Sequence, residues 1–199
     1  MNKVNFIREK YEKETISVVG LEYIGLPTAA LLSNRGYQVY GVDVVQNVVD
    51  TINKGQIHIV EPELDIYVKA AVNTRRLVAD TKPKEADVFI IAVPTPFHEG
   101  YIPNIDYVIS ATKSIVPYVR EGNVVILEST SPVGTTEKIE EILRTSGIDT
   151  TKIYIAHCPE RVLPGKIMKE LVENDRIVGG LTPEATKVVA EFYREFVQD

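Results

Sequence analysis

A repeating pattern of short Val/Ile-rich runs without polar alternation, each followed by an amphipathic stretch, constrains this chain more than any other feature. Runs of that kind occupy 16–20, 38–42, 77–79, 87–93, 124–127, 153–156 and 176–178. Each face of a strand takes every second residue, so a run that stays apolar throughout belongs to a strand covered on both faces. Apolar residues at helical spacing mark 26–34, 46–53, 62–73, 105–118, 135–145 and 183–197, with Pro62 and Pro183 at helix starts. Strand and helix in strict alternation imply a mainly parallel sheet wound by right-handed crossovers. The expected fold class is therefore α/β, a doubly wound sheet with helices on both faces.

The first strand and helix are joined by "GLEYIGLP", with glycines at Gly20 and Gly25. Asp43 ends the second strand, about 20 residues on, where a dinucleotide-binding fold places the acid that bonds a ribose 2′-hydroxyl. A carboxylate there accepts hydroxyl hydrogen bonds and repels a 2′-phosphate, which favours NAD over NADP. A P-loop is excluded, because Leu26 and Pro27 follow Gly25 where Lys and Ser/Thr would be required. The sheet is thus expected to be Rossmann-like, with Gly20, Tyr23, Ile24 and Gly25 forming the turn that faces the cofactor. Glu22 stands where the G-x-G-x-x-G pattern has its second glycine, the one that lets the backbone approach the pyrophosphate. Side-chain bulk and like charge at that point are expected to weaken NAD binding by roughly 10- to 100-fold. Thr95, in "AVPTP", follows the fourth strand at a carboxyl end of the sheet, the edge where ligands bind, so Val93 and Thr95 are placed along the cofactor cleft.

Composition narrows the remaining classes. A net charge of -6 argues against a nucleic-acid or anionic-membrane partner, and no apolar run is long enough to span a bilayer. The first residues, "MNKVNFIREKYEKE", have no apolar core and read as a polar leading helix over 1–14 rather than a secretory signal. One cysteine, Cys158, permits neither an internal disulfide nor a cysteine metal cluster, and His58, His98 and His157 do not form a ligand pair. These features point to a cytoplasmic protein without a structural metal.

Five stretches in order resemble the nucleotide-sugar 6-dehydrogenase family, which includes UDP-glucose, GDP-mannose and UDP-N-acetylmannosamine dehydrogenases. They are "GLEYIGLP", "INKGQIHIVEPELD" (52–65), "FIIAVPTPF" (89–97), "LESTSPVGTTEKI" (127–139) and "CPERVLPGKIMKELVENDRIVGG" (158–180). The combination of "IHIVEPEL", "ESTSPVGTTEK" and "CPERVLPG" resembles the UDP-N-acetyl-D-mannosamine branch, since UDP-glucose enzymes more often have Asn-Pro-Glu-Phe-Leu at the last motif. The resemblance implies oxidation of a sugar C6 alcohol to a carboxylate by two hydride transfers to NAD, through a thioester on a cysteine. It implies that Thr130 contacts the cofactor and helps position the reacting water, a task suited to a hydroxyl that both donates and accepts. It implies that Glu160 lies beside the sugar as an acid/base, with Arg161 holding the sugar or the diphosphate. Glu61 is expected to be structural or to border the cofactor loop, without a catalytic role. Cys158 aligns with the residue before Pro-Glu and not with the family's Gly-Gly-x-Cys motif, so a buried, inert thiol is expected.

The resemblance also implies a nucleotide-sugar partner, a homo-oligomer in the full-length form, and a second Rossmann domain carrying the thioester cysteine. The expected organisation is a leading helix over 1–14, an NAD-binding domain over 15–182, and the start of a connecting helix over 183–199. On this reading the chain does not turn over substrate alone. The apolar stripe of Val188, Val189, Phe192 and Phe196 is expected to be uncovered and to drive self-association. Two alternatives remain: a dehydrogenase acting on UDP-glucose or GDP-mannose, and a degenerate Rossmann module that binds nucleotide without catalysis.

Overall fold

The computed structural model of the protein describes residues 15–198, so the leading helix expected over 1–14 lies outside the described residues. In chain order the elements are β1 (Thr15–Val19), α1 (Gly25–Asn34), β2 (Gln38–Val42), α2 (Gln46–Asn53), α3 (Leu64–Asn73), β3 (Leu77–Asp80) and β4 (Val88–Ile91). There follow α4 (Asp106–Ile115), β5 (Val124–Leu127), α5 (Thr135–Thr145), β6 (Tyr154–His157), α6 (Ile167–Glu173), β7 (Gly179–Gly180) and α7 (Pro183–Arg194). The strands form one sheet in the order β3-β2-β1-β4-β5-β6-β7. Pairings from β3 to β6 are parallel, and β7 joins β6 antiparallel.

Successive strand residues point to opposite faces, so each apolar strand feeds two cores. Val18, Ile90 and Ile126 pack with residues of α1, α3, α6 and α7 on one face. Val19, Ile91 and Leu127 pack with α4 and α5 on the other. The strand order changes direction between β1 and β4, and the register sets Val19 level with both Val42 and Ile91. Gly20, Asp43 and Ala92 therefore emerge side by side at the carboxyl edge, at the switch point where open α/β sheets bind ligands.

Several elements differ from the sequence expectation, and four of them have a plain physical reason. The third helix starts at Leu64 rather than Pro62, because Glu63 takes a left-handed φ of 66°. The helix expected to reach 118 is α-helical only to Ile115 and finishes as a 3₁₀ turn over Val116–Tyr118, where Pro117 has no N–H to continue the ladder. The run at 176–178 is not a strand. Strand pairing moves to Gly179–Gly180, where a Cβ on Gly180 would lie 2.3 Å from the Thr186 nitrogen, so only glycine passes under α7. The helix Ile167–Glu173 has no counterpart among the expected elements; it is one short segment behind Pro164 and Gly165, burying Ile167, Met168 and Leu171.

The expected uncovered stripe on the last helix is also corrected. Val188, Val189, Phe192 and Phe196 are all buried, at 3%, 0%, 0% and 4% exposure, in the core beneath β6. Phe192 meets Tyr193 and Phe196 edge-on, with ring centroids 5.4 and 5.5 Å apart. Burying each such side chain contributes about 1.5–3 kcal/mol. These side chains offer no apolar patch for self-association.

Candidate cofactor and active-site cleft

Two glycines shape the turn after β1 because nothing larger fits. Gly20 has φ +93°, and a Cβ on it would sit 2.7 Å from the Ala92 carbonyl oxygen. A Cβ on Gly25 would sit 1.8 Å from the carbonyl oxygen of Gly20. Helix α1 then starts at Gly25 without a side-chain cap; the Leu26 N–H donates to the Glu22 carbonyl at 3.1 Å, and Pro27 carries no N–H. Gly25→Ala is expected to cost about 2 kcal/mol of stability and to displace the turn. Chemical denaturation of the variant tests this, and an unchanged midpoint would show that the turn yields freely.

Asp43 is 8% exposed and ties the turn to the end of β2. The Leu21 N–H donates to its Oδ2 at 3.0 Å, and the Val45 N–H donates to its Oδ1 at 2.9 Å. Each carboxylate oxygen has two lone pairs, so both can still accept a ribose hydroxyl. A cleft of about 430 Å³ opens here, lined by Gly20, Glu22, Asp43, Val93, Tyr107 and Ser114 among others. Tyr23 is exposed beside it, and Ile24 packs inward against the core. A close-approach glycine turn and an acid on the next strand, meeting at one cleft, fit a nicotinamide dinucleotide.

Beyond Val93, the ends of β4 and β5 are laced together. Thr95 Oγ1 donates to the Thr130 carbonyl at 2.6 Å, and Ser129 Oγ donates to the Val93 carbonyl at 2.7 Å. Thr130 itself is exposed at this rim. Glu160, on the neighbouring strand end, is buried, and its N–H donates to the Glu128 carbonyl at 3.0 Å. Its side chain, 2% exposed, pairs through the carboxylate with Arg176, whose side chain is 6% exposed, and accepts the Arg161 N–H at 2.7 Å. Arg161 is exposed and donates to the Asp175 carbonyl at 2.9 Å. Glu61 is structural, as expected: its two oxygens accept the N–H groups of Gly165 and Ile167, both at 2.8 Å.

Beneath the rim lies a buried polar cluster that the sequence reading missed. Glu128 has no solvent exposure, and its carboxylate accepts Thr28 Oγ1 and the Tyr193 hydroxyl, each at 3.1 Å. Burial first, and then the charge of Glu160, push its pKa up to about 7. Arg176 stacks over the Tyr193 ring at 5.2 Å. Cys158 is fully buried beside this cluster, and burial pushes its thiol up to about 12, so it is not a nucleophile at neutral pH. A signal for the cluster was present: Glu128 directly follows four buried apolar residues of β5, a place where an acid needs partners. Tyr107, Ser110 and Ser114, also missed, line the cleft from one face of α4 at helical spacing.

Comparison with known proteins agrees with this geometry. Residues 14–197 match the model of the UDP-glucose/GDP-mannose dehydrogenase family, NAD binding domain. The UDP-N-acetyl-D-mannosamine dehydrogenase of Campylobacter jejuni is 53% identical over 193 residues, covering 92% of this chain and 47% of that protein. The NDP-N-acetyl-D-galactosaminuronic acid dehydrogenase of Ralstonia nicotianae is 51% identical, covering 92% and 46%. Among solved structures, the UDP-N-acetyl-mannosamine dehydrogenase Cap5O of Staphylococcus aureus superposes with a TM-score of 0.88 at 41% identity, over 92% of this chain and 46% of that one. The chain spans about half the length of the curated relatives it matches. Glycine turn, the buried acid after β2, laced strand ends and matched sequence lead to one assignment: the chain belongs to the UDP-glucose/GDP-mannose dehydrogenase family, of which it is the NAD binding domain.

Proposed function

We propose that this chain binds NAD at the β1–α1 turn and serves an enzyme that oxidises the C6 hydroxyl of UDP-N-acetyl-D-mannosamine to the carboxylate. The observation that carries the cofactor part is the meeting of Gly20 and Asp43 at one cleft on the carboxyl edge of the sheet, with Gly25 packed directly against Gly20. Bound NAD supplies the hydride acceptor. Over the whole reaction the alcohol loses two hydrides to two NAD molecules, and water provides the second carboxylate oxygen. Asp43 bonds the ribose, and the turn and the start of α1 receive the diphosphate. Val93 and Thr95 line the path toward the reacting end, where the Thr130 hydroxyl positions water. Glu160 acts as acid/base by exchanging its Arg176 contact for the sugar hydroxyl, and Arg161 reaches the substrate diphosphate.

The choice of sugar is supported by the "CPERVLP" run and by the relatives named for UDP-N-acetyl-D-mannosamine. A second reading, an NDP-N-acetyl-D-galactosamine-type substrate, is favoured by relatives of nearly equal identity that bear that activity in their names. The assembled enzyme is proposed to be a cytoplasmic homo-oligomer; among the described residues no helix is long and apolar enough to cross a membrane. The test is NAD reduction by the enzyme containing this domain, with the N-acetylmannosamine and N-acetylgalactosamine nucleotides, UDP-glucose and GDP-mannose supplied separately. The expected result is two NADH formed per UDP-N-acetyl-D-mannosamine and far slower turnover of the others. Preference for any other sugar would replace the substrate assignment and leave the cofactor site intact.

A further inference from the structure

Glu22 lines the cleft with its side chain 45% exposed, in the turn where a dinucleotide's diphosphate approaches the backbone. Among the described residues it lies beside His58, whose Nε2 is 3.9 Å from Glu22 Oε2. The His58 side chain is 15% exposed, both ring nitrogens are shielded from solvent, and neither has a hydrogen-bond partner among the described residues. A shielded polar group without a partner is costly, so this imidazole favours any carboxylate that reaches it. His58 does not line the cleft itself.

The loop carrying His58 is fixed. Ile57 packs against the core, Ile59 is 5% exposed, and Glu61 is clamped by the N–H groups of Gly165 and Ile167. The half-exposed glutamate is therefore the mobile member of the pair. We propose that His58 is a positioning residue for the cofactor turn: it draws the Glu22 carboxylate out of the path of the NAD diphosphate, so that a glutamate is tolerated where the turn otherwise takes glycine. This rests on the reading of the cleft as the dinucleotide site. It also sharpens the expected penalty of Glu22, which falls to the lower end of the range given above, about tenfold.

The test is calorimetric titration of NAD into four proteins: the parent, Glu22→Gly, His58→Leu, and the double variant, each with a thermal melt to check folding. His58→Leu is expected to weaken NAD binding about tenfold in the parent and by less than roughly twofold in the Glu22→Gly background. His58→Gln keeps a donor for the carboxylate and serves as a further variant, with a smaller loss in the parent and no loss in the Glu22→Gly background. Equal losses in both backgrounds would overturn the proposal, since His58 would then act through the packing of its loop. Absence of NAD binding by the Glu22→Gly protein would overturn the cofactor reading itself, and the proposal with it.

Discussion

Arg176→Met is expected to destabilise the protein by about 3–5 kcal/mol, because it leaves the Glu160 carboxylate buried without a counter-charge. The two side chains are 6% and 2% exposed, so water screens neither. Arg176 also donates to the Leu171 carbonyl at 3.0 Å at the end of α6 and stacks on Tyr193 of α7. Its loss therefore unpairs a carbonyl and a ring as well as a carboxylate. Adding Glu160→Gln should recover much of the loss, since the uncompensated charge then disappears; replacing both members of a buried pair is often nearly neutral. Urea denaturation of the single and double variants tests this. Additive losses would mean that the two residues stabilise the fold independently.

Glu128→Gln is expected to make the protein more stable at alkaline pH and to flatten its pH dependence. The folded state holds the Glu128 proton up to about pH 7, whereas the unfolded chain releases it near 4.5. Between those values the native state binds more protons than the unfolded state, so stability falls as pH rises. The contribution is fully present below about 4.5 and is lost as pH passes 7, a loss of about 3 kcal/mol. A glutamine can accept from one of the two hydroxyls, Thr28 or Tyr193, and donate to the other. Denaturation at about pH 5 and about pH 8 should bring parent and variant close together at the lower value and set them about 3 kcal/mol apart at the higher one. Parallel profiles would place the titrating group elsewhere. Because Thr28 lies on the cofactor helix and Tyr193 on α7, this buried acid joins the cofactor side of the domain to its last helix.

Features written locally were legible in the sequence. β4 and β5 are buried along their whole length and therefore read as unbroken apolar runs. Gly20, Gly25 and Asp43 could be placed together at the turn after β1 because their positions depend on spacing within one strand–helix–strand unit. The inert burial of Cys158 and the structural role of Glu61 followed from their places in motifs.

The remainder depends on contacts between distant segments. Tyr193 reaches Glu128 across 65 residues, and Arg176 reaches Glu160 over the intervening α6. The apolar stripe of α7 revealed that a face had to be covered, but periodicity does not say by what; β6 and the surrounding core cover it. Glu22 was visible as a departure from the glycine pattern, while its partner His58 was not, since the pairing arises only when the loop after α2 folds back beside the turn.

The position of bound NAD is measured most directly by amide chemical-shift mapping on the 22.2 kDa protein. The expected result is a saturable set of shifts confined to Gly20–Gly25, Asp43–Val45, Val93–Thr95, Tyr107–Ser114 and Thr130, with NADP at least about tenfold weaker because its 2′-phosphate meets Asp43. Shifts centred elsewhere, such as the hollow between Arg176 and α7, or equal binding of the two dinucleotides, would contradict it.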